Sequence, residues 1–112
     1  MIGISTHILD SMRGRPAAGI RVRLEKKTAS GLWTGVGSGV TDDDGRCRDL
    51  LATALEAVTY RITFETAGYF DSQGITGLYP EVTITFQVTE AERHYHIPLL
   101  LSPNSYTTYR GT

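Results

Sequence analysis

The sequence predicts a mainly β fold, an antiparallel β-sandwich or small barrel with one short helix, on three observations. Several short runs alternate apolar and polar residues with period two, turn-forming clusters separate those runs, and only two stretches favour helix. Alternation puts every second side chain on one face of a strand, so a half-buried strand reads as apolar, polar, apolar. Six or seven such strands joined by short reversals fold as two layers.

The elements follow in chain order. Residues 2–9 form the first strand candidate. Ile20, Val22 and Leu24 share a face opposite Arg21, Arg23 and Glu25, and residues 32–39 form the next strand. Residues 50–58 contain three alanines and three leucines and favour helix by propensity. Tyr60, Ile62 and Phe64 alternate with Arg61, Thr63 and Glu65. Residues 65–74 are the second helix candidate, capped by Gly74 although Gly68 lies inside; at most one helix is expected in total. Val82, Ile84, Phe86 and Val88 alternate with Thr83, Thr85 and Gln87, and residues 94–101 and 105–109 complete the strands. Arg13-Gly14-Arg15-Pro16, Ala29-Ser30-Gly31, Asp42-Asp43-Asp44-Gly45 and Ser102-Pro103-Asn104 supply the reversals.

Composition narrows the function. The 112 residues suit one domain, residues 1–112, with ordinary globular proportions of 40% hydrophobic and 21% charged residues. Eleven basic against twelve acidic residues give a net charge of −1 with no basic cluster, so nucleic acid is not expected as a partner. Cys47 is the only cysteine, which rules out an intrachain disulfide and any two-cysteine metal site. No secretion signal, bilayer-spanning run or peroxisomal ending is read in the chain, so membrane partners are not expected and a cytoplasmic location is.

Three histidines and one arginine are the candidates for chemistry. In a strand, His94 and His96 share a face, about 6.6 Å apart, while Tyr95, Ile97 and Leu99 face the core. His7 points away from Ile4 and Ile8, so His7 and His96 are both free to meet at a site. Structural hydrogen bonding or solvation is the commonest fate of a strand histidine, and His-x-His with His7 as a third ligand also fits zinc. Arg46 follows the acidic turn; it is either a solvated arginine beside a carboxylate or a planar donor fork for a carbonyl or anion. The turn itself lacks the spaced ligands of a calcium loop. A strand-forming polar run, Tyr106 to Thr112, hints that the chain end is placed somewhere.

The motifs taken together carry a resemblance. Ile4-Ser5-Thr6-His7-Ile8-Leu9-Asp10 is followed by Gly14-Arg15-Pro16-Ala17-Ala18-Gly19 and by Thr41-Asp42-Asp43-Asp44-Gly45-Arg46. Gly68-Tyr69-Phe70, Tyr79-Pro80-Glu81-Val82, His94-Tyr95-His96-Ile97-Pro98-Leu99-Leu100-Leu101-Ser102-Pro103 and Tyr109-Arg110-Gly111-Thr112 complete the set. In order and spacing they resemble the 5-hydroxyisourate hydrolases, the enzymatic branch of the transthyretin family, over essentially the whole chain. The resemblance implies a transthyretin-like (prealbumin-like) β-sandwich and a homotetramer with active sites along a two-fold channel. It implies hydrolysis of 5-hydroxyisourate to 2-oxo-4-hydroxy-4-carboxy-5-ureidoimidazoline in urate (purine) degradation, by histidine-assisted attack of water on a cyclic amide, without metal or cofactor.

Carried over by position, the resemblance implies His7, Arg46 and His96 as catalytic and substrate-binding residues. Tyr109, Arg110 and Thr112 join them in substrate binding, and His94 stays outside as a neighbour. Thr112 stands where the family usually has serine, and Asn104 where it generally has an aromatic residue. Which histidine is base and which acid stays open. The competing readings are a carrier of small aromatic ligands, a zinc hydrolase built on His7, His94 and His96, and a plain structural sandwich.

Overall fold

The structure, a computed structural model, describes residues 2–112. Its elements are β1 (Ile4–Asp10), β2 (Arg15–Pro16), β3 (Arg21–Lys27), β4 (Trp33–Val40), β5 (Arg46–Cys47), β6 (Thr59–Phe64), α1 (Thr66–Asp71), β7 (Val82–Gln87), β8 (Tyr95–Ser102) and β9 (Ser105–Thr108). One sheet runs β2-β1-β8-β9 with β5 also paired to β1; the other runs β4-β3-β6-β7. The two-layer expectation is met. Alternation is the reason: Ile8, Leu24, Tyr60, Ile62, Phe64 and Leu99, all from apolar phases, are 0% exposed between the sheets.

Two features depart from the expected pattern. First, β1 and β8 pair in parallel, while every other strand pair among the described residues is antiparallel. Parallel neighbours need a long crossover. Here the chain builds the whole second sheet between them and returns in its original direction. Second, β2 and β5, two residues each, pair with successive stretches of β1.

Residues 50–58 are not helical, which corrects the propensity reading. Their amide groups find tertiary partners instead. Leu50 N–H donates to the Ile4 carbonyl (3.1 Å) and Ala52 N–H to that of Val36 (2.8 Å). Glu56 N–H donates to the Tyr60 hydroxyl (3.0 Å). Leu50 and Leu51 are buried in the core, so packing outweighs a propensity worth tenths of a kcal/mol per residue. The segment presses so closely on β4 that a Cβ on Gly37 would stand 1.8 Å from the Leu50 carbonyl oxygen.

The second helix candidate forms, as α1. It ends at Asp71, short of the expected Gly74, and the turn after it closes at Gly74 (φ +69°), whose N–H donates to the Asp71 carbonyl while Ile75 N–H donates to that of Phe70, each at 3.0 Å. That pair of bonds is the Schellman closure, which favours glycine at the left-handed position. No helix among the described residues is long and apolar enough to cross a membrane.

Parity along two strands positions the site. In β1, Ile4, Thr6, Ile8 and Asp10 turn inward and are buried, leaving Ser5, His7 and Leu9 on the outer face. In β8, Tyr95, Ile97, Leu99 and Leu101 turn inward, leaving His96, Pro98 and Leu100 outside.

Candidate active site

Three adjacent strands, β5, β1 and β8, bring the sequence candidates onto one outer face. Arg46 is the register partner of His7 across β5 and β1. Across β1 and β8, Ser5 faces His96 and His7 faces Pro98, so His96 is the diagonal neighbour of His7.

The acidic turn presents Arg46. The Asp42 carboxylate accepts N–H bonds from Asp44 and Arg46, each at 2.9 Å. The Arg46 amide, more than any other group, holds that carboxyl below its ordinary range. Gly45 adopts φ +74°, and a Cβ there would stand 2.4 Å from the Ile8 carbonyl oxygen. Its own carbonyl accepts the Ile8 N–H at 2.8 Å. The turn is therefore clamped flat on β1, and Arg46 leaves it in register with His7.

Two hollows meet here. One of about 390 Å³ is lined by Ser5, Arg46, Arg48, His94, His96 and Thr112. A wider one of about 580 Å³ is lined by His7, Leu9, Pro16, Asp44, Arg46 and Arg48. Arg46 and Arg48 form their common wall, with His96 on one side and His7 on the other. The floor beneath His96 is a hydrogen-bonded group: Ser5 Oγ lies 2.8 Å from Nε2 of His94 and 2.7 Å from Nδ1 of His96. Burial pushes the His94 imidazole below its ordinary pKa. Burial does the same to His96, helped by the positive fields of Arg46, His7 and His94. Neutral rings beside a guanidinium suit proton transfer and oxyanion binding.

The opposite edge of the His96 ring touches the chain end. Gly111 N–H donates to the His96 carbonyl at 2.9 Å. A Cβ on Gly111 would stand 2.5 Å from Cδ2 of His96, so only glycine lets this segment lie flat on the ring. Thr112 then reaches the cleft wall.

Of the sequence candidates, His7, Arg46, His96 and Thr112 are thus gathered. Tyr109 and Arg110 are not with them in one chain. They line a separate groove of about 270 Å³ with β7 residues, Tyr95, Ile97 and Thr108, and the Arg110 guanidinium lies 4.6 Å from the Tyr95 ring centroid. Asn104 sits in the two-residue turn between β8 and β9. Two cleft residues, Ser5 and Arg48, had no role in the sequence reading, and His94, set outside the site there as a neighbour, lines the cleft. Ser5 and His94 each precede a candidate histidine by two, and Arg48 follows Arg46 by two, the same-face spacing of a strand. No group of three or more His, Cys, Asp or Glu side chains placed to hold a metal ion occurs among the described residues.

Comparison with known proteins shows the family and the fold. The model of the HIUase/Transthyretin family matches residues 4–111. A 5-hydroxyisourate hydrolase of Salmonella dublin is 43% identical over 110 residues, covering 97% of this chain and 80% of that protein. The solved 5-hydroxyisourate hydrolase of Klebsiella pneumoniae superposes with TM-score 0.87 at 34% identity, covering 100% of both chains. Sea bream transthyretin, solved in complex with thyroxine, superposes with TM-score 0.91 at 37% identity, covering 97% of this chain and 94% of its own.

Proposed function

The chain belongs to the HIUase/Transthyretin family, and from that premise we propose that it hydrolyses 5-hydroxyisourate to 2-oxo-4-hydroxy-4-carboxy-5-ureidoimidazoline, using His7, Arg46 and His96. The observation that carries this reading is the meeting of two imidazoles and a guanidinium on three neighbouring strands. The named hydrolases among its relatives support the substrate.

The chemistry follows from the groups. Water attacks the carbonyl carbon of the cyclic amide while an imidazole takes its proton, a task suited to a pKa of about 6.5. The carbonyl electron pair moves onto oxygen, and Arg46 holds that charge as it grows. The carbon–nitrogen bond then breaks, the nitrogen receives a proton, and the ring opens to a carboxylate. Only water and side chains take part. Thr112 lines the wall and orients substrate. The proposal extends to one hydrolase domain spanning residues 1–112, a cytoplasmic location and a homotetramer. Tyr109 and Arg110 remain substrate-binding residues in it, serving a site shared with a neighbouring copy.

A ligand carrier is the second reading, favoured by the superposition on the thyroxine-bound relative. One experiment separates the two. 5-Hydroxyisourate is generated freshly with urate oxidase and its ultraviolet decay is followed with and without the protein. The hydrolase accelerates decay, and His7→Ala, Arg46→Ala and His96→Ala each slow it at least about a hundredfold with the fold intact. Saturable binding of an aromatic ligand without acceleration would instead support the carrier, and near-normal turnover in a variant would remove that residue's role.

A further inference from the structure

Beneath the cleft, one hydroxyl lies between two imidazoles, and the number of hydrogens available dictates its polarity. Ser5, 8% exposed, contacts Nε2 of His94 and Nδ1 of His96. A serine hydroxyl has a single hydrogen to give. Accepting from both rings would leave that hydrogen without an acceptor among the described residues, so the hydroxyl donates to one ring and accepts from the other. In the first arrangement, His94 Nε2–H donates to Ser5, and Ser5 donates to Nδ1 of His96. In the second every hydrogen is reversed, so His96 Nδ1–H donates to Ser5 and Ser5 donates to Nε2 of His94.

His94 decides between them. A neutral imidazole carries one N–H, and in the second arrangement that hydrogen must sit on Nδ1 of His94. This nitrogen is buried and has no hydrogen-bond partner. An orphaned buried N–H is among the rarest defects in folded proteins, whereas an unfilled acceptor is better tolerated. Burial favours the neutral form of both rings, so neither escapes the choice by taking a second proton.

We infer that the order His94 to Ser5 to His96 holds His96 as its Nε2–H tautomer, a fixed neutral hydrogen-bond donor to the reacting carbonyl oxygen, and that His7 makes both proton transfers. The inference rests on the hydrolase reading above and refines it. Nδ1 is occupied by Ser5 and the Cδ2 edge by Gly111, which leaves Nε2 for the cleft. Donating that hydrogen bond costs His96 no proton. His7 takes the proton of the attacking water and becomes imidazolium as the carbon–oxygen bond forms. The negative oxygen rests between Arg46 and His96 Nε2–H. On collapse the carbon–nitrogen bond breaks, and His7 returns the same proton to the departing nitrogen. Ser5 and His94 are positioning residues that act through the His96 ring.

The test reads hydrogens directly. Nitrogen-15 NMR of the histidine rings in the intact protein is expected to show His96 with a bare Nδ1 and a protonated Nε2, and His94 likewise. A protonated Nδ1 on His96 overturns the inference, whatever the activity. Kinetics supply the second arm. His96→Gln keeps an amide donor near the Nε2 position but transfers no protons, so it is expected to retain at least about tenfold more turnover than His96→Ala. Equal loss in both variants means that His96 moves protons, and overturns the assignment. Ser5→Ala is expected to lower kcat about tenfold with KM little changed; His94→Gln, which keeps a donor toward Ser5, is expected to recover activity relative to His94→Leu. If the wild-type protein fails to accelerate 5-hydroxyisourate decay, the hydrolase reading fails, and the NMR arm still decides the tautomer.

Discussion

Replacing Gly111 by alanine adds one methyl group at the tightest contact around the His96 ring. The new Cβ would stand 2.5 Å from Cδ2 and 3.2 Å from Cγ of His96, and 3.2 Å from Cγ of Pro98. Carbon atoms rest about 3.5–4.0 Å apart, so roughly 1 Å of overlap must be relieved. Turning the ring carries Nδ1 away from Ser5 and lengthens a 2.7 Å bond beyond its useful range. Peeling the chain end away breaks the 2.9 Å bond from Gly111 N–H to the His96 carbonyl and withdraws Thr112 from the cleft. Either route misplaces a reacting group by about 1 Å, a displacement that can lower turnover about a hundredfold, or about 2.7 kcal/mol. Stability changes less, because the site is half-buried at a strand end; about 1 kcal/mol moves Tm by about 4 °C. The assay is kcat from ultraviolet decay of fresh 5-hydroxyisourate, with Tm measured on the same sample. Wild-type kcat in Gly111→Ala would refute the claim that this glycine exists to seat the ring.

Three further outcomes are expected. Asp42→Ala removes the acceptor that shapes the turn under Arg46 and lowers kcat/KM roughly tenfold while circular dichroism is unchanged; an unaltered kcat/KM would show that the turn holds itself. Gly37→Ala forces a Cβ against the Leu50 carbonyl and lowers urea-unfolding stability by about 3 kcal/mol or more. Stability also falls on acidification. His94 and His96 titrate below 6.5 when folded, so the unfolded chain binds more protons as pH drops. Their contribution is complete above about pH 6.5 and is lost as pH falls through that value toward the folded pKa. Urea midpoints between pH 7 and 5 check this, and His94→Gln is expected to lose less than the wild type over that interval.

Much of the fold was legible because strands announce themselves locally. The phases of residues 20–25, 60–65 and 82–88 named the inward faces of β3, β6 and β7 correctly, since burial demands alternation. Residues 50–58 misled for the complementary reason. Alanine and leucine favour helix in isolation, but this stretch packs Leu50 and Leu51 into the core and gives its amides to distant carbonyls. The two-residue strands β2 and β5 carry no periodicity and could not be read.

The site divides in the same way. His7 and His96 belong to outward phases of their strands, and the motifs around them with Arg46 and Thr112 named the residues of the cleft. Chain order alone determined which side chains face outward, because orientation depends only on neighbours two positions away. Only the folded molecule decided that β1 lies beside β8, that Ser5 touches residues 89 and 91 positions away, and that Tyr109 and Arg110 turn to another groove. Those facts depend on which strands share hydrogen bonds across the whole chain, and no local pattern encodes a partner so distant.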